Sequence, residues 1–207
     1  TETVAVETEA PTEAATEATV AETTQVSAAT APELNIDTIN QHISEFEFLA
    51  SCNQEFHNAE ELAEALQVIV YHKFWYDTSY PEIDDNDYSM YFVIPEEDVQ
   101  NYVQNLFGTT FQADNEEFYS YADEDCRGIG VLYEDGSYII GDADPVDSRE
   151  YWLSGSWKSD QGGYDVRVNV MGSGQVGLVT TEAYVFHVVP ADTSYGFIVT
   201  DSTRVDL

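Results

Sequence analysis

The sequence predicts an α+β fold. Three helices, with one strand between the second and the third, pack against an antiparallel sheet of about five to six strands. Three observations predict it. Apolar residues recur at spacings of three and four through the early segments. The period changes to two after Gly108. The later segments are joined by short turn signals in place of the long crossovers that parallel strands need.

The first helix is expected over Leu34 to Ala50, where Ile36, Ile39, Ile43, Phe46 and Leu49 make one apolar stripe. Asn58 is a good N-cap for a second helix, and Glu61 three residues on resembles a capping box. Leu62, Leu66, Ile69 and Lys73 lie along one line of that helix, which should end near Tyr76, before Pro81. Tyr88 to Ile94, dense in aromatic and branched residues, reads as a strand. Pro95 then suits the first turn of a third helix, with Glu96, Glu97 and Asp98 at its positive end. Val99, Tyr102, Val103 and Leu106 form its inner stripe and Gly108 its stop.

In the second half, Ile129 to Tyr133 and Tyr138 to Gly141 flank Glu134-Asp135-Gly136-Ser137, a hairpin signal. Tyr151 to Lys158 is the next expected strand. Tyr164 to Val170 alternates, with Tyr164, Val166, Val168 and Val170 on one face and Asp165, Arg167 and Asn169 on the other, as in an antiparallel sheet with one wet side. Met171-Gly172-Ser173-Gly174 is expected to turn into a long strand reaching Val189, and Tyr195 to Thr200 closes the series.

Charge narrows the function classes. The 207 residues carry 40 acidic and 6 basic side chains, a formal charge of −34. That excludes a nucleic-acid binder, which needs clustered Lys and Arg to displace counterions from phosphate, and attachment to anionic lipid by charge. Residues 1–33 are built mainly from Thr, Ala, Glu and Val, with no aromatic residue and no Lys or Arg. Such a segment cannot bury enough apolar surface to offset its chain entropy and is expected to be a disordered acidic tether. Residues 34–207 hold every Trp, Tyr and Phe and are expected to form one domain. No apolar run is long enough for a membrane helix and no signal-peptide pattern opens the chain, so the low-complexity start reads as that of a processed product.

An acidic Thr/Glu/Ala tether ahead of an acidic aromatic-rich domain resembles the mature part of a Gram-positive surface lipoprotein. The resemblance implies an extracytoplasmic protein, secreted or held at the cell surface, touching the membrane only through a lipid anchor upstream of the tether. The order helix, helix, strand, helix, then a meander of strands is similar to the nuclear-transport-factor-two-like group of the cystatin-like architecture. That likeness implies a curved antiparallel sheet wrapped around the helices as a cone with a pocket at its mouth.

Cys52 and Cys126 are the only cysteines. Outside the cell an even count invites a disulfide, and two separate buried thiols are the other reading. Asp84, Asp85 and Asp87 form one acidic loop with Asn86, and Asp142 and Asp144 begin a second that reaches Asp147. Such carboxylates could bind calcium, yet neither loop has EF-hand spacing, and solvated loops are the plainer reading. No other cofactor is suggested. Trp75, Tyr76 and Trp152 stand at element ends or off the core face, and are the candidates for a pocket rim. His187 shares a strand face with Val185 and Val189 and joins them as a ligand-binding candidate.

No nucleophile elbow, HExxH or phosphate loop is present. The expected function is a surface-tethered domain without catalytic activity that binds a small molecule, a glycan or a surface protein. The alternative is a small isomerase- or hydrolase-type pocket enzyme with His187 as base opposite an Asp or Tyr. A third reading needs no ligand at all: the carboxylates keep the domain soluble and away from an anionic wall.

Overall fold

Asn35 opens the described part of the molecule. Its Oδ1 accepts from the backbone N–H of Asp37 at 2.9 Å and of Thr38 at 3.0 Å, capping a short helix α1, Ile36–Asn40. The computed structural model describes residues 34–75, 79–80, 82–84, 90–114, 130–141, 150–174 and 177–207. The expected tether, 1–33, lies outside them.

The single helix expected over 34–50 is two helices, α1 and α2 (Ile43–Ser51), broken at Gln41 and His42. The apolar stripe runs through both, so the sequence does not show the break. Its cause is tertiary: His42 leaves helical geometry, and its ring meets Tyr195 edge-on at 4.7 Å and Phe197 at 5.7 Å. Helix α3, Ala59–Trp75, begins at the predicted cap. Asn58 Oδ1 accepts from Glu60 N and Glu61 N, while the Glu61 carboxylate accepts from Asn58 Nδ2 and from His57 N. The reciprocal bond therefore reaches one residue further back than in a standard capping box.

Strand β1, Glu82–Asp84, is a strand where only an acidic loop was expected. Strand β2, Met90–Pro95, carries Pro95 as its last residue, paired with Ser137. Pro95 is thus the N-cap of α4, Glu96–Phe107, and not its first turn. Gly108, in the left-handed conformation at φ 68°, ends α4 as expected. Strands β3, Val131–Glu134, and β4, Ser137–Gly141, meet at Asp135 (φ 50°) and Gly136 (φ 80°). Two successive positive φ values match the twist of a two-residue hairpin. Strands β5 (Glu150–Lys158), β6 (Tyr164–Gly174), β7 (Gly177–Pro190) and β8 (Phe197–Asp206) follow. The turn expected at Met171–Gly174 is not there. Instead β6 runs on and pairs with β7 down to Gly174 and Gly177, across a bulge beside Val170.

The fold class is α+β, with antiparallel pairing throughout the described strands. These form two four-stranded sheets, β1-β2-β4-β3 and β5-β6-β7-β8, where one sheet was expected. Local alternation is the same in both cases. What divides them is a long-range choice: β4 has β2 on one side and β3 on the other, so the hairpin joins the earlier strand and not the later meander. Helix α2 packs on β5, β6 and β7; α3 packs on β2, β3 and β4; and α4 touches β8 as well as β2 and β4. The result is one apolar cluster, in which Ile39, Phe46, Val99, Leu106, Ile140, Val168, Phe186 and Phe197 are wholly buried. On β6 the predicted alternation holds, with Val166, Val168 and Val170 buried and Asp165, Arg167 and Asn169 on the outer face. Among the described residues no helix is long and apolar enough to cross a membrane.

Candidate binding face

The meander β5–β8 has one face against the helices, and its register fixes what stands on the other. A row crosses the sheet from Trp157 on β5 to Asp165, His187 and Asp201 on successive strands. His187 Nδ1 lies 2.7 Å from Asp165 Oδ1, and the imidazole N–H donates to the carboxylate. Asp201 is held from two sides: His57 Nδ1 is 2.9 Å from its Oδ2, and Thr203 Oγ1 donates to its Oδ1 at 2.9 Å. The next row is Gly155, Arg167, Val185 and Thr203, and the one after it Trp152, Asn169, Ala183 and Val205. Arg167 Nε donates to Asn169 Oδ1 at 3.1 Å.

Trp152 and Trp157 reach the same face because of a bulge. They are five residues apart, and strict alternation would put them on opposite sides. The β5–β6 register shifts between Leu153 and Gly155, so Ser154 is the extra residue and parity is restored. Ser154 Oγ donates to Arg167 O at 3.2 Å, which ties the bulge to β6. Trp152 is 51% exposed and Trp157 45% exposed. Both indoles are thus left partly in water on one sheet face. No family model, curated protein or solved structure matches this chain. The case for the face therefore stands on its geometry.

The other predicted residues fall elsewhere. Trp75 stacks on Tyr71, with ring centroids 5.9 Å apart and 11° between planes, and meets Phe92 edge-on at 5.2 Å. It packs, partly buried, against the core beside α3. Trp152 lies on the outer face of β5–β8, and His187 sits part-buried on that face with it. Tyr76 lies outside the described residues. So do Cys126, Asp85, Asp87, Asp142 and Asp144. Asp84 is the last residue of β1, paired with Met90. No group of three or more potential ligands for a metal occurs among the described residues. Cys52 is buried, with its Sγ 3.4 Å from Phe48 O, and Cys126, the partner in the expected bridge, lies outside the described residues.

Two further polar arrangements complete the inventory. Lys73 Nζ donates to Glu45 Oε1 at 2.9 Å and Oε2 at 3.2 Å, and sits over the rings of Tyr102 (4.8 Å) and Phe48 (5.3 Å). Burial pushes the neighbouring Cys52 thiol far up and outweighs the nearby lysine charge. It therefore stays protonated, which removes it as a nucleophile. Tyr195 is pushed up to about 12, by burial first and then by the Glu45 charge and hydrogen bond. On the far side of the molecule the segment Thr110–Asp114 is clamped by two glutamines. Gln100 bonds both the N–H and the C=O of Phe111, and Gln67 bonds Gln112 O and Asp114 N. Shallow grooves of about 460 and 510 Å³ flank this segment, and neither contains any residue of the outer face.

The hydrogen bond to Asp201 raises the His57 pKa above its ordinary value; burial opposes it, and the charges of Asp201, Glu61 and Glu55 add smaller upward contributions. A raised imidazole contributes stability that is full below its unfolded pKa and is lost as pH rises through the folded one. The pair is solvent-screened, so the effect on stability is small. An NMR titration is expected to place His57 above its ordinary value, and Asp201→Asn to lower it, with Glu61 and Glu55 still acting upward. A His57 pKa unchanged by that substitution would contradict the contact.

Sequence reasoning placed Asp165, Arg167 and Asn169 on the wet face of β6, but missed Trp157 as a partner of Trp152, and Asp201 and His57 as members of the face. The alternation of β6 could have flagged Asp165 opposite His187. Nothing local could have flagged the bulge.

Proposed function

We propose that the chain is an extracytoplasmic binding protein without catalytic activity, in which residues 1–33 tether the domain and the outer face of β5–β8 makes the contact. The observation that carries this reading is the pair of exposed indoles, Trp152 and Trp157, on one face of an edge strand. The acidic low-complexity segment supports a tether at a Gram-positive surface, with a lipid anchor upstream. The cone arrangement of the nuclear-transport-factor-two-like group is supported by the order of elements and by α2 seated on the meander. The division into two sheets counts against it.

The enzyme alternative draws less support. The His187–Asp165 pair lies part-buried on the outer sheet face, and a general base needs substrate held within hydrogen-bonding reach. Neither groove beside Thr110–Asp114 includes it.

Sedimentation with isolated Gram-positive cell walls, their surface proteins left attached, tests the proposal. The full chain is expected to pellet with the walls, and the double variant Trp152→Ala/Trp157→Ala to stay in solution with an unchanged circular dichroism spectrum. Equal pelleting of both, or of neither, removes the outer face as the binding site.

A further inference from the structure

We infer that the ligand of this face is a neutral oligosaccharide chain lying along β5 between Trp152 and Trp157. The inference rests on the outer face being the binding surface and adds the chemistry of what occupies it.

The geometry is that of a trough with aromatic ends. On the outer side of β5, the exposed bulge residue Ser154 and Gly155 stand between the two indoles, because Leu153 and Ser156 pair with the inward-facing Val168 and Val166. A side-chain carbon added at Gly155 would meet no atom within 4 Å, so the space above it is open. Trp152 and Trp157 stand opposite Asn169 and Asp165, four residues apart on β6, which spans about 13 Å at the rise of a strand. Two or three linked sugar rings, at about 5 Å each, fit that span.

One long side of the trough is polar. Arg167 faces Gly155 directly, with Asn169 and Asp165 beside it. Guanidinium, amide and carboxylate together offer donors and acceptors in alternation. A pyranose asks for this combination. Its C–H face is weakly positive and suits the negative face of an indole, and its hydroxyls at the rim both donate and accept. An apolar small molecule would need a closed pocket that covers most of its surface, which an open sheet face does not supply.

Charge selects a neutral ligand. At −34 the chain repels anionic polymers. On this face the carboxylates are already hydrogen-bonded to imidazoles. Asp165 is paired with His187 and Asp201 with His57, and Arg167, one of only six Lys and Arg in the chain, stands between the indoles. Imidazole-bonded carboxylates and one guanidinium make the face polar on an acidic molecule, and a polyhydroxylated neutral chain meets no electrostatic opposition there.

The test uses the full chain in affinity electrophoresis and tryptophan fluorescence against a soluble β-glucan, chitin oligomers, mannan and galactan, with polygalacturonate as the anionic control. At least one neutral glycan is expected to retard the protein and shift its emission, while polygalacturonate does neither. Trp152→Ala and Trp157→Ala are each expected to weaken binding about tenfold, and Trp152→Phe to retain most of it. No retardation by any neutral glycan, or retardation that survives both alanine variants, overturns the inference. If the walls still retain the chain in a tryptophan-dependent way while every neutral glycan fails, the glycan is wrong and the face stands. If the walls fail too, both readings fall together.

Discussion

Replacing Phe46 by alanine is expected to destabilise the domain by about 3–5 kcal/mol, among the largest effects a single core truncation gives. Phe46 on α2 is wholly buried. Its ring stacks on Phe197 at 5.6 Å with 16° between planes, and lies 5.8 Å from Phe186. It therefore holds helix α2 to β7 and β8 at once, and the cavity left by its removal would be walled by two rings fixed in different strands. Partial collapse is difficult there, because Phe186 and Phe197 are each seated in the ladder and cannot both move inward. Urea unfolding should show a lower midpoint at constant slope. Phe46→Leu should recover most of the loss, since volume is largely kept. The exposed Trp152→Ala is expected to stay within about 0.5 kcal/mol of the parent, as surface changes do. That contrast separates the two faces of one sheet: the inner face determines stability and the outer face is free to determine binding. A Phe46→Ala loss below about 1 kcal/mol would place the core elsewhere.

What could be read from the sequence was what is decided within a few residues. The Asn58–Glu61 cap, the Asp135-Gly136 turn, Gly108 at the end of α4 and the alternation of β6 each depend on neighbours in the chain. The break at His42 does not, because its cause is contact with Tyr195 and Phe197, more than 150 residues away. The Gly and Ser of Met171–Gly174 read as a turn by composition, yet the ladder with β7 continues through them, and pairing outweighs propensity there. The choice that made two sheets was likewise long-range, since β4 presents the same alternation whether its neighbour is β2 or β5. The candidate face was half legible. Trp152 and His187 stood out by position, but the partner of Trp152 was hidden by parity. A five-residue separation assigns Trp157 to the opposite side until a bulge at Ser154 adds the missing step. The clamps of Gln67 and Gln100 on Phe111–Asp114 were invisible for the same reason as the sheet division: a glutamine that completes a distant backbone looks like any exposed polar residue.

Gly163→Ala is the second large effect expected, and it reports on the face itself. Gly162 and Gly163 both have positive φ, 91° and 70°, in the turn between β5 and β6. Alanine at either position must adopt a left-handed conformation, at about 1–2 kcal/mol. Only at Gly163 is there a second cost. A side-chain carbon there would collide with the carbonyl oxygen of Val188 and lie 3.1 Å from its carbon and 3.3 Å from Val189 Cα, whereas at Gly162 nothing lies within 4 Å. Because the obstacle is backbone, no rotamer change relieves it, and overpacking adds about 1–3 kcal/mol. Gly163→Ala is therefore expected to cost about 2–5 kcal/mol in all, clearly more than Gly162→Ala in the same urea titration. The displacement must be taken up where β6 meets β7, at the pairs Tyr164 with Val188 and Asp165 with His187. The imidazole resonances of His187 should accordingly move in Gly163→Ala and stay in place in Gly162→Ala. Trp157, opposite Asp165, should lose its alignment with Trp152, so the deeper cost carries a loss of binding that the Gly162 variant lacks. Equal destabilisation by the two substitutions would show that the turn is free to drift from β7, and the order of the outer row would then need another cause.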